Sequence, residues 1–96
     1  MDAKIIHDPE GGEFYCHIEG SKSFLNYYED NPDYIDIYHT YVPPELRNRE
    51  IAQQLIAEAI KYAEKSGKKI ISTCSFADMY FAKHPELKGL LYNNKK

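Results

Sequence analysis

The 96-residue sequence predicts an α/β (α+β) protein with a mixed sheet and the element order β-β-β-β-α-β-α. Segments with a period of two fill the first part of the chain, and turns rich in Gly, Pro, Asn and Asp separate them. One long segment with a period near 3.6 follows the pair Pro43-Pro44, and a short apolar strand follows that segment. Because the last strand arrives after a crossover helix, we expect it to lie parallel to the strand before the helix.

Alternation and turn residues together predict the first four strands. These strands are placed at Ala3–His7, Glu13–Glu19, Ser23–Glu29 and Tyr34–Val42. Connections this short require consecutive strands to be antiparallel neighbours. Strict alternation in the fourth strand predicts one shared face made of Ile35, Ile37, His39 and Tyr41. Bulky groups on both faces then indicate a central strand.

The principal helix is predicted from a single apolar stripe. The stripe consists of Ile51, Leu55, Ile56, Ala59, Ile60 and Ala63. Gly67 is expected just beyond the helix C-terminus, and Lys69–Cys74 is expected to form the fifth strand. Ser75 is then predicted as the N-cap of a second, short helix that runs through Lys83.

Composition limits the class of function. No apolar run approaches the length of a membrane span, the first ten residues do not resemble a signal peptide, and Cys16 and Cys74 form no disulfide framework. We therefore expect a single domain over residues 1–96 in the cytoplasm, with no membrane and no nucleic acid among its partners. Residues 1–45 hold ten acids and two lysines, whereas residues 46–96 hold ten bases and five acids. This polarity suits a cationic substrate and an anionic cofactor, or it reflects solvated surfaces that happen to differ.

The segments HTYVPPELR and FADMYFAKHPEL, with the helix and the cysteine-ended strand between them, resemble the very short GNAT-like N-acetyltransferases. The resemblance is strongest from His39 to Leu87. It implies a GNAT-like mixed sheet with the principal helix after strand four, acetyl-CoA as cofactor and an amine as acetyl acceptor.

The resemblance also assigns a pyrophosphate loop with the family pattern Q/R-x-x-G-x-G/A. Its six places fall on Arg47, Asn48, Arg49, Glu50, Ile51 and Ala52. Glu50 stands where the pattern has glycine, so the loop departs from the family at a position that glycine serves through unusual backbone angles. If Asn48 is the N-cap, Glu50 lies at N2, where its carboxylate competes with a phosphate for the positive helix end. Alternatively, the segment is a self-capped helix start with two solvated arginines.

The pantetheine arm of coenzyme A is implied to pair with exposed backbone of the fourth strand. By resemblance, the residues lining this slot are His39, Thr40, Tyr41 and Val42. Recognition of this kind uses backbone groups and hardly depends on the side chains.

Three residues are candidates for the chemistry. Cys74 lies where a helix begins, which favours either a nucleophile that forms an acyl-cysteine or a small buried side chain. Tyr80 either protonates the departing thiolate, as the resemblance implies, or packs against the sheet. His39 is either a general base or a core histidine. The remaining histidines lack ligand spacing, so no metal is expected.

These observations predict an acyl-CoA-dependent N-acetyltransferase with a degenerate pyrophosphate loop. One alternative is a catalytically inactive GNAT-fold protein that acts as a CoA-binding or protein-interaction module. Another is a cytosolic protein in which Cys74 has a thiol-redox role.

Overall fold

The computed structural model describes residues 3–47 and 49–92 and shows one five-stranded sheet in the order β1-β2-β3-β4-β5. The strands are β1 (Ile6–Asp8), β2 (Glu13–Ile18), β3 (Ser21–Asn31), β4 (Tyr34–Tyr41) and β5 (Lys69–Ser72). The helices are α1 (Ile51–Ser66) and α2 (Ser75–Lys83), with 3-10 turns at Pro44–Leu46 and Pro85–Leu90. Strands β1 to β4 are antiparallel and β5 joins β4 in parallel. The predicted element order and mixed sheet are confirmed.

Helix α1 covers one face of the sheet, which we call the helix face; the opposite face is the outer face. All six residues of the predicted apolar stripe are buried, and they join sheet residues such as Leu25, Ile35 and Ile70 in one core. Full burial of each large aliphatic side chain contributes about 1.5–3 kcal/mol. The helix ends as expected at Gly67, whose φ of 71° lets the Lys68 amide donate to the Ala63 carbonyl oxygen at 2.9 Å.

A β-bulge interrupts the pairing of β3 with β4. Asn26 lies opposite His39, but the next residue, Tyr27, lies opposite Ile37, so Tyr38 is an extra residue in β4. An inserted residue reverses the alternation of side chains beyond it. Sequence periodicity assumes an unbroken ladder and therefore does not detect such an insertion.

The bulge moves the far half of β4 to the other face. Thr40 lies opposite the fully buried Leu25 and therefore faces α1, whereas His39 and Tyr41 lie on the outer face beside Phe24. Their ring centroids are 5.5 Å and 5.7 Å from that of Phe24. The predicted single face that included His39 and Tyr41 is therefore wrong beyond the bulge.

A cluster of aromatic rings fills the helix face near β1. His7 stacks on Phe14 with a centroid distance of 4.1 Å, and its Nε2 lies 2.5 Å from the hydroxyl oxygen of Tyr27. The ring of Tyr62 from α1 meets His7 edge-on at 4.5 Å. Burial lowers the pKa of His7, although the carboxylates of Glu29 and Asp8 oppose that shift.

Glu29 connects this cluster to the end of α1. Its carboxylate accepts hydrogen bonds from the Tyr62 hydroxyl at 2.5 Å and from the Lys68 ammonium at 2.7 Å. Burial raises the pKa of Glu29, but the hydrogen bonds from Lys68 and Tyr62 and the Lys68 charge outweigh it, so the net pKa is lowered. The cluster therefore favours a neutral histidine beside a charged carboxylate.

None of the helices in the two described ranges is long and apolar enough to cross a membrane.

The lowered pKa of His7 predicts a pH dependence of stability. A base whose folded pKa lies below its unfolded value stabilises the fold above the unfolded pKa of about 6.5, and that stability is lost as the pH falls through it. His7→Phe keeps a ring on Phe14 but cannot titrate, so its unfolding free energy should fall less than that of wild type between pH 7.5 and 5.5. Urea unfolding measures this difference. The exposed His17→Phe makes the same substitution outside the cluster and is the matched control. A pH dependence in His7→Phe no weaker than in this control would contradict the assignment.

Candidate functional site

A cleft of about 480 Å³ lies where the end of β4 meets the start of α1. It brings together residues from four segments: the end of β4, the 3-10 turn, the first turn of α1 and, after β5, the first turn of α2. The lining residues are Thr40, Tyr41, Val42, Leu46, Arg47, Glu50, Ile51, Ala52, Gln53 and Phe76. Seven of these ten residues belong to the pantetheine slot (39–42) or the pyrophosphate loop (47–52) that the family resemblance implies.

The N-terminus of α1 is open toward this cleft. The amide of Gln54 donates to the Glu50 carbonyl oxygen at 3.1 Å, which starts the helix, so the three preceding amides have no carbonyl partner within the helix. Those amides belong to Ile51, Ala52 and Gln53, which all line the cleft. Within the described residues no side chain accepts a hydrogen bond from them, and the Glu50 side chain does not cap the helix. A helix end of this kind carries a partial positive charge and favours an anion.

Glu50 is the N-cap of α1, and the expectation that it lies at N2 is wrong. Its φ of 61° and ψ of 24° place it in the left-handed region, outside any right-handed helix. That conformation costs an ordinary residue about 1–2 kcal/mol and costs glycine almost nothing. The family pattern's glycine therefore has a conformational explanation at this position. Asn48, the expected N-cap and a proposed loop residue, lies outside the described residues.

The two loop arginines have different surroundings. Arg47 lines the cleft, and its Nε donates to the Val42 carbonyl oxygen at 2.9 Å, which holds the guanidinium against the end of β4. Arg49 instead forms an ion pair with Glu19, with Nη1 2.9 Å from the carboxylate, and does not line the cleft. Arg47 is therefore the loop cation placed to meet a ligand.

Half of β4 has no partner on its β5 side. The parallel ladder ends with Ile37 opposite Ser72, and its last backbone hydrogen bond runs from the Thr73 amide to the Ile37 carbonyl oxygen at 2.9 Å. Beyond this point β4 continues to Tyr41, whereas the segment that follows β5 turns away into α2. The exposed strand edge between them borders the cleft through Thr40.

Cys74 lies beside the cleft as the N-cap of α2, one residue before the predicted cap at Ser75. The Asp78 amide donates to the Cys74 carbonyl oxygen at 2.9 Å, which confirms that the helix begins after Cys74. The side chain of Cys74 is buried, and its Sγ donates to the Thr40 hydroxyl oxygen at 3.6 Å. The bulge in β4 creates this contact, because it turns Thr40 toward the helix face.

Tyr80 and His39 are not brought to the cleft. Tyr80 is half-buried on α2, with its ring 4.3 Å from that of His84 and edge-on to Phe81. His39 is exposed on the outer face against Phe24. Their proposed chemical roles therefore receive no support from position.

Leu46, Gln53 and Phe76 line the cleft but were not singled out in the sequence. Leu46 is fully buried in the turn after Pro44, and Phe76 is half-buried in the first turn of α2. The proximity of Phe76 to Cys74 in the chain was the one available signal, since residues in the turn after a proposed nucleophile share its surroundings.

Comparison with known proteins agrees with this geometry. The profile of the family described as GCN5-related N-acetyl-transferase matches residues 13–90. The chain belongs to this family. The described residues of the matched region contain β2 to β5, both α-helices and every described residue that lines the cleft.

Two individual proteins are also similar to this chain. The chain is 29% identical over 84 residues to Protein NATD1 of Danio rerio, a match that covers 85% of this chain and 76% of that protein. Its fold is similar to the NMR structure of a GCN5-like protein from Staphylococcus aureus, with a TM-score of 0.76 at 22% identity, over 97% of this chain and 91% of that one. The second match shows the shared GNAT-like fold.

The backbone at Glu50 generates a stability prediction. Glu50→Gly removes the left-handed strain and Glu50→Ala keeps it, so the glycine variant should be the more stable of the two by about 1 kcal/mol. Both variants lack the carboxylate, so the comparison isolates the backbone term. Urea unfolding at fixed pH provides the measurement. An alanine variant as stable as the glycine variant would show that the residue is not left-handed in solution.

Proposed function

We propose that this protein is an acetyl-CoA-dependent N-acetyltransferase that transfers an acetyl group to an amine. One observation carries the proposal: a single cleft joins the open N-terminus of α1, the Arg47 guanidinium and the unpaired edge of β4. The first two features suit a diphosphate, and the third suits a chain of amides. Coenzyme A contains a diphosphate followed by a pantetheine arm with two amides. Membership of the family also supports coenzyme A as the ligand.

The residues at the start of α1 fit a diphosphate, with one opposing charge. The free amides of the first helical turn and the Arg47 guanidinium are donors to anionic oxygens. Glu50 lines the same region and brings a negative charge that weakens anion binding. The volume of about 480 Å³ lies within the usual range of about 300–1,000 Å³ for small-molecule sites.

The free edge of β4 would hold the pantetheine arm. A ligand that carries amides can add to such an edge as a further strand would, through the backbone groups near Thr40 and Tyr41. Phe76 borders the cleft on the α2 side with an apolar ring. This arrangement directs the far end of a bound ligand toward Cys74.

When bound, acetyl-CoA supplies the acetyl group as a thioester. In our proposal the Cys74 sulfur would take the acetyl group as the bond between acetyl and coenzyme A breaks, and the thiol proton of Cys74 would leave on the coenzyme A sulfur. An uncharged acceptor amine would then take the acetyl group from Cys74, and the N–H proton it gives up would restore the thiol. The thiol now donates to the Thr40 hydroxyl, and once its proton is lost the same hydroxyl can rotate and donate to the thiolate. Thr40 is therefore the proposed hydrogen-bond partner of the reacting sulfur, from within the cleft lining. The roles of Tyr80 as an acid and His39 as a base remain predictions. Neither residue borders the cleft, so neither takes part in the proposed transfer.

A second candidate is a module that binds CoA without transferring the acetyl group. The observations that favour it are the carboxylate of Glu50 at the phosphate end and the burial of the Cys74 side chain, which is only 9% exposed. Both candidate functions place acetyl-CoA in the same cleft, and they differ only in whether the acetyl group is transferred. A protein that binds acetyl-CoA but leaves Cys74 and every tested amine unacetylated would be such a module.

Thermal unfolding with acetyl-CoA tests the proposed site. A ligand that binds only the native state stabilises it by about 2.7 kcal/mol at a hundredfold excess over its Kd. Arg47→Met should reduce the affinity for acetyl-CoA by about tenfold, because it removes a charge-assisted hydrogen-bond donor, and Glu50→Gly should increase the affinity. S-acetylpantetheine lacks the nucleotide diphosphate, so neither substitution should alter its binding. An acetyl-CoA affinity unaffected by Arg47→Met would contradict the placement of the diphosphate.

The contact between Thr40 and Cys74 predicts a change in thiol reactivity. In a Cys16→Ser background, Thr40→Val should slow the alkylation of Cys74 by iodoacetamide at pH 7.5 by about tenfold, since a hydrogen bond to a charged group contributes about 1.5–3 kcal/mol. Thr40→Ser keeps the hydroxyl and should react at nearly the wild-type rate. Mass spectrometry of the modified protein measures both rates. Equal rates in the valine and serine variants would leave Thr40 without this role.

A further inference from the structure

The outer face of the sheet carries two exposed tyrosines in contact with each other. Tyr28 of β3 is 54% exposed and Tyr38 of β4 is 37% exposed, and their rings stack at 4.1 Å with an interplanar angle of 16°. Tyr38 is the bulge residue of β4, so the bulge places it beside Tyr28. A stacked, solvent-exposed ring pair presents π-faces and edges to an incoming ligand.

A carboxylate lies directly beside this pair. Asp36 is the cross-strand partner of Tyr28, and its Oδ1 accepts a hydrogen bond from the Thr73 hydroxyl at 2.9 Å. Across the described residues, no lysine or arginine forms an ion pair with Asp36. The three residues Tyr28, Tyr38 and Asp36 form what we call the tyrosine patch, which combines two rings with one carboxylate that has no cationic partner among the described residues.

Elsewhere on the outer face, two aromatic rings and a carboxylate already surround a lysine ammonium group. Lys22 lies 4.8 Å from the ring centroid of Tyr15 and 5.8 Å from that of Phe24, and its ammonium forms an ion pair with Glu13 at 3.2 Å. Two rings and one carboxylate therefore hold an ammonium group at this neighbouring position. The tyrosine patch repeats the two rings and the carboxylate without the lysine, so charge complementarity points to an ammonium group from a ligand.

The tyrosine patch is also connected to Cys74. Thr73, which donates to Asp36, directly precedes Cys74 in the chain. The ladder between β4 and β5 ends at the bond from Thr73 to Ile37, so beyond it no strand pairing separates the outer face from the cleft. Asp36 therefore lies beside the end of this ladder and contacts the residue that precedes Cys74.

We propose that the tyrosine patch is the acceptor subsite and that the acceptor is a linear alkyl diamine. The proposal rests on the acetyl transfer proposed above. An amino group held by a carboxylate and two rings is protonated and has no lone pair for attack on a carbonyl. The anchored group and the reacting group are therefore different amines of one molecule. The anchored ammonium stays at Asp36 while the second amine, uncharged, reaches Cys74.

Binding of 1,5-diaminopentane to the protein without acetyl-CoA tests the subsite independently of turnover. NMR titration should show shifts of the Tyr28 and Tyr38 ring signals, whereas 1,5-pentanediol, which has the same length and no charge, should leave these signals unchanged. Asp36→Asn should weaken diamine binding by about tenfold, and Tyr28→Leu by about threefold, the size expected for one exposed cation–π contact. Asp30→Asn removes an exposed acid at the end of the same sheet and should leave the affinity unchanged.

The outcomes separate the subsite from the proposed function. Diamine binding that is lost in Asp36→Asn supports the subsite even if no acetylated amine is ever detected, in which case acetyl transfer alone fails. Acetylation of diamines at the wild-type rate by Asp36→Asn would overturn the subsite and leave the transferase activity standing. Equal weakening by Asp30→Asn and Asp36→Asn would overturn it as well, because it would show only general attraction to an acidic surface. The acetyl-CoA thermal shift of Asp36→Asn should equal that of wild type, which checks that the variant is folded.

Discussion

The early end of the pairing between β4 and β5 is the constraint on which the rest of the site depends. β5 has four residues and β4 has eight, so the second half of β4 keeps a row of unpaired backbone groups. Exposed strand edges are ordinarily paired, shortened or covered, because they attract other chains. Here the edge borders a cleft closed by the first turns of α1 and α2. The chain thus keeps a row of backbone hydrogen-bonding groups at the border of this cleft.

The start of α1 shows how conformation and charge can be separated at one residue. Glu50 adopts the left-handed backbone for which glycine is suited, and so preserves an open helix end with free amides. Its side chain nevertheless adds a negative charge beside a helix end whose partial positive charge favours anions. At this one position the backbone has the conformation that suits glycine, while the carboxylate opposes the anion binding that we propose, and the cleft-lining Arg47 offsets that carboxylate.

The bulge at Tyr38 has consequences on both faces of the sheet. It turns Thr40 toward α1, where the hydroxyl meets the thiol of Cys74, and it leaves His39 and Tyr41 beside Phe24 on the outer face. It also brings Tyr38 onto Tyr28. One inserted residue therefore assembles the contact proposed for thiol activation and the patch proposed for amine binding, which lie on opposite sides of the same strand.

Local patterns were enough to predict the element order, the antiparallel and parallel pairings, the buried stripe of α1 and its end at Gly67. These features depend on periodicity, on proline and on glycine, which act within a few residues of chain. The position of the α1 N-cap depends on the backbone conformation of Glu50. The burial of Cys74 against Thr40 and the face of His39 depend on register between strands. Register is decided by how whole elements pack, because a single extra residue in one strand costs little locally and reverses every side chain beyond it. Alternation along β4 was therefore sufficient as far as Ile37, and only the packed sheet decided which residues beyond it reach the cleft.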